Sequence, residues 1–205
     1  GDALAYQLNR QRTKDDPPGT YEKIHMAFAG TLRALVRDTD PEAPLCIVAH
    51  SLGTVIASNY LWDLQVDGIP PPVREIQTGS SLERGKTLAC LYTMGSPMAI
   101  WSLRFDDFGI PIAFPPTGRP ERYGDLPAEW VNLFDGDDVI GYPLKVLNDL
   151  YDANVTEDLA VNVGNVITMW NPASHVAYWM DADVVGRVAT GLGRAWRSLN
   201  ASATP

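Results

Sequence analysis

Ser51, a histidine and an acid are the residues in this chain whose types could do covalent chemistry together. An alkyl hydroxyl is a poor nucleophile near neutral pH. It needs a base within hydrogen-bond reach, and the base needs a carboxylate to orient it. The chain holds 3 histidines, so the search for a base is short. His25 falls in an amphipathic stretch and reads as a surface or packing residue. His50 adjoins Ser51 in the chain and should point away from its hydroxyl, a structural role. His175 precedes the last helical stretch and is the candidate general base. Candidate acids are Asp135, Asp137 and Asp138, within four residues of one another, with Asp106 and Asp107 as outside alternatives. Cys46 and Cys90 both lie in apolar runs and read as buried free thiols rather than a disulfide or metal pair. No histidine or cysteine pair has metal-ligand spacing, and no glycine-rich phosphate loop is present, so no metal and no cofactor is expected.

These residues need elements to carry them. Leu45 to Ala49 is apolar and partly β-branched, and a helix-like run with Val55, Ile56 and Leu61 on one side follows His50-Ser51-Leu52-Gly53. That reads as buried strand, very tight turn and helix. A bland alternative is a turn whose serine merely caps the helix. Upstream, Tyr21, Ile24, Phe28, Leu32 and Leu35 recur at helical spacing after Thr20. Downstream, Thr87 to Met94 and Trp130 to Phe134 read as strands, and a fourth strand is expected within Leu159 to Met169, near Val166 to Trp170. Asp181 to Trp196 reads as a closing helix with acids in its first turn. Apolar strands separated by helices imply parallel pairing with both faces covered, and sites in such sheets form past the strands' C-terminal ends. Ser51, the aspartate cluster and His175 all fall just past such ends.

Residues 98–128 carry Trp101, Leu103, Phe105, Phe108, Ile110, Ile112 and Phe114 together with Pro111, Pro115, Pro116 and Pro120. That is too much proline for regular structure and too much apolar area for a plain loop. The segment is expected to form a cap, with Trp101, Phe105 and Phe108 lining a substrate pocket. The alternative is an ordinary packed excursion.

Ala49-His50-Ser51-Leu52-Gly53 resembles the nucleophile elbow of α/β-hydrolases, G-x-S-x-G, with alanine for the first glycine. The resemblance spans Leu45 to Pro97 and Trp130 to Trp196: AHSLG, TMGSP, the Asp137-Asp138-Val139 run and SHVAYW look like the bacterial lipase- and esterase-like members, in the order Ser, Asp, His. It implies an α/β fold with a mostly parallel sheet flanked by helices, and hydrolysis of carboxylic esters or thioesters through an acyl-serine, with an amidase as a variant. Ser51 would attack and His175 would shuttle the proton. In many members the acid precedes a valine by one residue, D-x-V, which puts Asp137 first, then Asp138, then Asp135. The backbone N–H of Leu52 would be one oxyanion donor. The family's second donor comes from a loop after an earlier strand, and residues 1–44 offer no such strand. The chain is therefore expected to lack the fold's N-terminal strands and to be the C-terminal part of a longer protein, in which something pairs with the apolar elbow strand.

The 205 residues suit one domain, and 45% hydrophobic with 20% charged content is ordinary for a globular chain. A net charge of −9 argues against nucleic acid or an anionic membrane surface as partner. No apolar run approaches the roughly 18–20 residues needed to span a bilayer. The expected partner is a small-molecule ester; the compartment is not legible, with the cytoplasm as the default. The competing expectation is a hydrolase-fold binding or scaffold protein without catalysis.

Overall fold

The computed structural model describes Tyr6 and residues 18–103, 109–123, 126–163 and 174–201. Among these residues its centre is a four-stranded, wholly parallel sheet in the order β1 (Leu45–His50), β2 (Leu88–Met94), β3 (Glu129–Asp135) and β4 (Glu157–Val161). The helices, in chain order, are α1 (Thr20–Asp38), α2 (Leu52–Gln65), α3 (Pro71–Arg74), α4 (Met98–Ser102), α5 (Asp149–Asn154), α6 (Ser174–Ala177) and α7 (Ala182–Ala201). The chain is thus an α/β protein with a parallel sheet flanked by helices, as the alternation of apolar strands and amphipathic helices implies. β4 overlaps only the start of the Leu159 to Met169 stretch, and the strand expected near Val166 to Trp170 falls outside the described residues.

The two faces of the sheet carry separate cores. Leu45, Leu88, Leu91 and Trp130 meet Val55, Leu61 and α1 residues Tyr21, Ala29 and Leu32 on one face. Cys90, Tyr92, Met94, Val131 and Leu133 meet Val184, Ala195 and Tyr178 on the other. All seven residues of β2 are buried, which fits a central strand apolar on both sides. Among the described residues β1 pairs with β2 alone and forms an edge, and Cys46, Ile47 and Val48 are only half-buried. No strand precedes β1 among the described residues, so the expected second neighbour of the elbow strand has no counterpart there.

His25 is buried rather than at the surface. It contacts the Tyr6 hydroxyl at 2.8 Å and packs against Tyr21 and Tyr60.

Residues 111–126 of the segment expected to cap the site, where described, follow another course. Ala113 exchanges two hydrogen bonds with Gln65 at the end of α2, and the Phe114 N–H donates to Asn154, just ahead of β4. Arg122 and Tyr123 donate to the Glu42 carbonyl, just ahead of β1. These partners stand at the N-terminal ends of the strands, the end opposite Ser51. Ile112 and Phe114 are buried in one core and Tyr123 and Leu126 in the other. Residues 111–123 are therefore a packed excursion that brings the chain back to start β3, not a cap over Ser51. The prolines keep the path irregular, and the burial of these side chains fixes where it runs.

An ionic cluster around the buried Glu129 clamps α7 to the sheet. Arg187 donates to both oxygens of Glu129 at 2.9 and 3.0 Å and to Glu157 at 3.0 Å, and Arg194 reaches Glu129 at 3.3 Å. The Tyr92 hydroxyl also donates to Glu129. Burial alone would raise the Glu129 pKa, but the Arg187 and Tyr92 hydrogen bonds hold it below the ordinary range. The cluster works because α7 comes very close here: a Cβ on Gly191 would overlap the Tyr92 hydroxyl and Glu129. Gly191→Ala should lift α7 from the sheet and cost about 1–3 kcal/mol, in the range of other overpacked sites. Urea unfolding would measure it, and an unchanged midpoint would mean that the close approach is not maintained in solution.

Candidate active site

β1 ends at His50, and Ser51 sits at the apex of the turn into α2 with φ 54° and ψ −131°. Side chains other than glycine rarely adopt positive φ, and such strain persists only where the surroundings enforce it. Here the Ser51 N–H donates to the Met94 carbonyl at 2.9 Å, extending the β1–β2 ladder by one bond. The Ser51 carbonyl accepts from the Thr54 N–H at 3.0 Å and the Thr54 hydroxyl at 2.7 Å. The Thr54 hydroxyl also meets the Ser96 hydroxyl at 2.8 Å. Leu52 is the first residue of α2, and a helix's first N–H groups have no intrahelical acceptor, so its N–H is available beside Ser51.

Three side chains converge at this end of the sheet. The Ser51 hydroxyl lies 2.7 Å from His175 Nε2, and His175 Nδ1 lies 2.8 Å from Asp138 Oδ2. An ionised carboxylate only accepts, so His175 carries its proton on Nδ1 and offers the Nε2 lone pair to the serine hydroxyl. His175 comes from α6. His50 helps hold it there: its Nε2–H donates to the His175 carbonyl at 2.5 Å, and the two rings lie 4.8 Å apart. Burial lowers the His50 pKa, which keeps this ring neutral.

The acid against His175 is Asp138, not the expected Asp137. Asp135 to Asp138 form a tight turn in which the Asp138 N–H donates to the Asp135 carbonyl at 3.1 Å. The two middle residues of such a turn, Gly136 and Asp137, are exposed, while the fourth swings back under the sheet end. Asp138 is 3% exposed and Val139 is 70% exposed, the reverse of a solvent-facing Asp138. Asp135 is also buried, but its carboxylate serves the backbone: it accepts from the Asp137 N–H at 2.9 Å and the Val163 N–H at 2.7 Å. Asp106 and Asp107 lie outside the described residues.

Tyr178 was not singled out from the sequence. Its hydroxyl donates to Asp138 Oδ2 at 3.0 Å and accepts from the Asp135 N–H at 2.9 Å. Burial and the neighbouring Asp138 charge push the Tyr178 pKa far up, so the hydroxyl keeps its proton for that bond. The Ile140 N–H occupies Asp138 Oδ1 at 3.0 Å. Gly95 has φ 53°, and a Cβ there would lie 2.9 Å from Asp138 and 3.1 Å from His175, so the strand end leaves room for the pair only without a side chain. The sole local signal for Tyr178 was its position three residues after His175, which places both on one side of a helical turn.

Of the residues expected to line a pocket, Trp101 is half-buried and packs against the core on the α2 side. Phe105 and Phe108 lie outside the described residues. Among the described residues no group of three metal-ligating side chains could hold an ion, and no helix is long and apolar enough to cross a membrane.

The sequence matches no protein-family model, no curated protein and no solved structure.

Burial alone would raise the Asp138 pKa, but hydrogen bonds from His175, Ile140 and Tyr178 hold it below the ordinary carboxyl value. A depressed folded-state pKa adds stability above the unfolded-state value, and that share is lost as pH falls through the folded-state value. Asp138→Asn should therefore be less stable than wild type at neutral pH, with the gap closing in acid. Urea unfolding of both across pH would read it. A gap that stays constant into acid would mean that the ionised carboxylate is not its source.

Proposed function

We propose that this chain is a serine hydrolase of the α/β-hydrolase type that cleaves carboxylic esters or thioesters through an acyl-serine. The observation that carries the reading is the continuous relay from the Ser51 hydroxyl through His175 to buried Asp138, at 2.7 and 2.8 Å. Nucleophile, base and orienting acid are within hydrogen-bond reach before any substrate binds. The strained serine at a strand-to-helix turn supports the same reading.

In the proposed reaction the Ser51 hydroxyl attacks the ester carbonyl while His175 Nε2 takes its proton. Asp138 holds the ring in the required tautomer and stabilises the imidazolium that forms. The Leu52 N–H, at the positive end of α2, faces the developing oxyanion. His175 then protonates the leaving alcohol or thiol. Water, deprotonated by the same ring, releases the acid from Ser51. Tyr178 is a positioning residue, because it acts through Asp138.

A fluorophosphonate probe should label the wild type and leave Ser51→Ala unlabelled with its fold intact. Asp138→Asn should lower kcat for a short-chain aryl ester by up to about 10⁴-fold, as loss of the orienting acid does in serine proteases. Asp137→Asn, altering an exposed side chain, should stay near wild type. Undiminished hydrolysis by purified Ser51→Ala would overturn the reading. A wild type that neither labels nor hydrolyses a panel of esters graded by acyl length would favour a binding protein on the same fold.

A further inference from the structure

Cys46 and Cys90 are direct partners across β1 and β2. The register makes them so by an irregularity: Leu45 faces Leu88, yet Cys46 faces Cys90, so Ala89 is an extra residue in β2. Without that bulge Cys46 would oppose Ala89. Bulges re-aim side chains and recur near functional positions. Both thiols turn toward the α7 face. Adjacent strands run about 4.7–4.9 Å apart, inside the roughly 4.4–6.8 Å between Cα atoms that a disulfide spans. Cys46 is half-buried on β1, the edge strand among the described residues, whereas Cys90 is buried.

We propose that Cys46 and Cys90 form a peroxide-reactive thiol pair that closes to a disulfide between β1 and β2. Cys46 is the attacking residue and Cys90 the resolving one. The neighbouring Cys90 thiol holds the Cys46 pKa below its ordinary value. The same contact, with burial, pushes the Cys90 pKa far up. The Cys46 thiol gives up its proton and the thiolate attacks one oxygen of a hydroperoxide; the O–O bond breaks, and the departing oxygen takes up that proton to leave as an alcohol, or as water from hydrogen peroxide. Cys46 becomes a sulfenic acid. The Cys90 sulfur then attacks the Cys46 sulfur, the S–O bond breaks, and the Cys90 proton leaves with the hydroxyl as water. The two thiols lose two electrons and the peroxide gains them. The bond would tie the edge strand that presents Ser51 to the central strand. The pair does not depend on the serine hydrolase reading.

Reduced full-length protein is treated with one equivalent of hydrogen peroxide, denatured in N-ethylmaleimide and weighed intact. The expected product is lighter than the reduced chain by two hydrogens, monomeric and free of maleimide, and it melts at a higher temperature than the reduced form. Cys90→Ser should instead accumulate a dimedone-reactive sulfenic acid on Cys46. In Cys46→Ser, Cys90 should stay reduced and take up one maleimide. Maleimide on both cysteines of the treated wild type, over-oxidation of Cys46 beside a free Cys90, or a disulfide between two copies would each overturn the pair. Ser51→Ala should oxidise as wild type does.

Discussion

The site depends on a carboxylate that is charged and almost out of water. Removing an ion from water is costly unless both of its oxygens find hydrogen-bond donors. Asp138 meets that demand with three donors of different origin: the Ile140 N–H from its own loop, the Tyr178 hydroxyl and the His175 ring. Because the demand is strict, it fixes more than the acid. It sets the tautomer of His175, and so which nitrogen meets Ser51. It also fixes the path of the chain at Gly95, where no side chain fits beside the pair.

The rest of the structure supplies rigid supports for those donors. The loop after Asp138 is held by Asp158 of β4, whose carboxylate accepts the Leu144 and Lys145 N–H groups at 2.8–3.0 Å. Asn132 of β3 also donates to Asp158 at 2.7 Å, which ties that grip into the sheet. Tyr178 stands at the head of α7, where Asp181 accepts the Asp183 and Val184 N–H groups at 3.0 Å each and caps the helix start. Farther along α7, the Glu129–Arg187 cluster fastens the helix to the sheet. Sheet, loop and helix are thus each pinned by hydrogen bonds to charged groups, the stronger kind.

Much of this was legible residue by residue. Leu45 to Ala49 and Thr87 to Met94 announced parallel strands because their runs are apolar apart from threonine, although only β2 is buried throughout. Having so few histidines left His175 as the base to try, and the structure brings it to Ser51. The acid was legible only to within a few residues, because a one-position shift around a turn exchanges an exposed side chain for a buried one. Local pattern does not say which corner of the turn meets a ring that is 37 residues away in the chain. The 111–123 segment misled for a related reason: proline and apolar content say that a segment packs irregularly, not on which end of the sheet it packs.

By itself the sequence determined the first three strands, the long helices α1, α2 and α7, their order and the parallel α/β class, since these follow from hydrophobic period and from helices alternating with strands. It also determined that Ser51 stands at a strand-to-helix turn. Only the tertiary structure decided that Asp138 rather than Asp137 faces His175, that Tyr178 supports that acid, and that β1 forms an edge among the described residues. It alone placed Cys46 opposite Cys90, through a single extra residue in β2. The physical reason is common to all four: turn closure and strand register set contacts between distant residues to within one position, and nothing local in the chain is that exact.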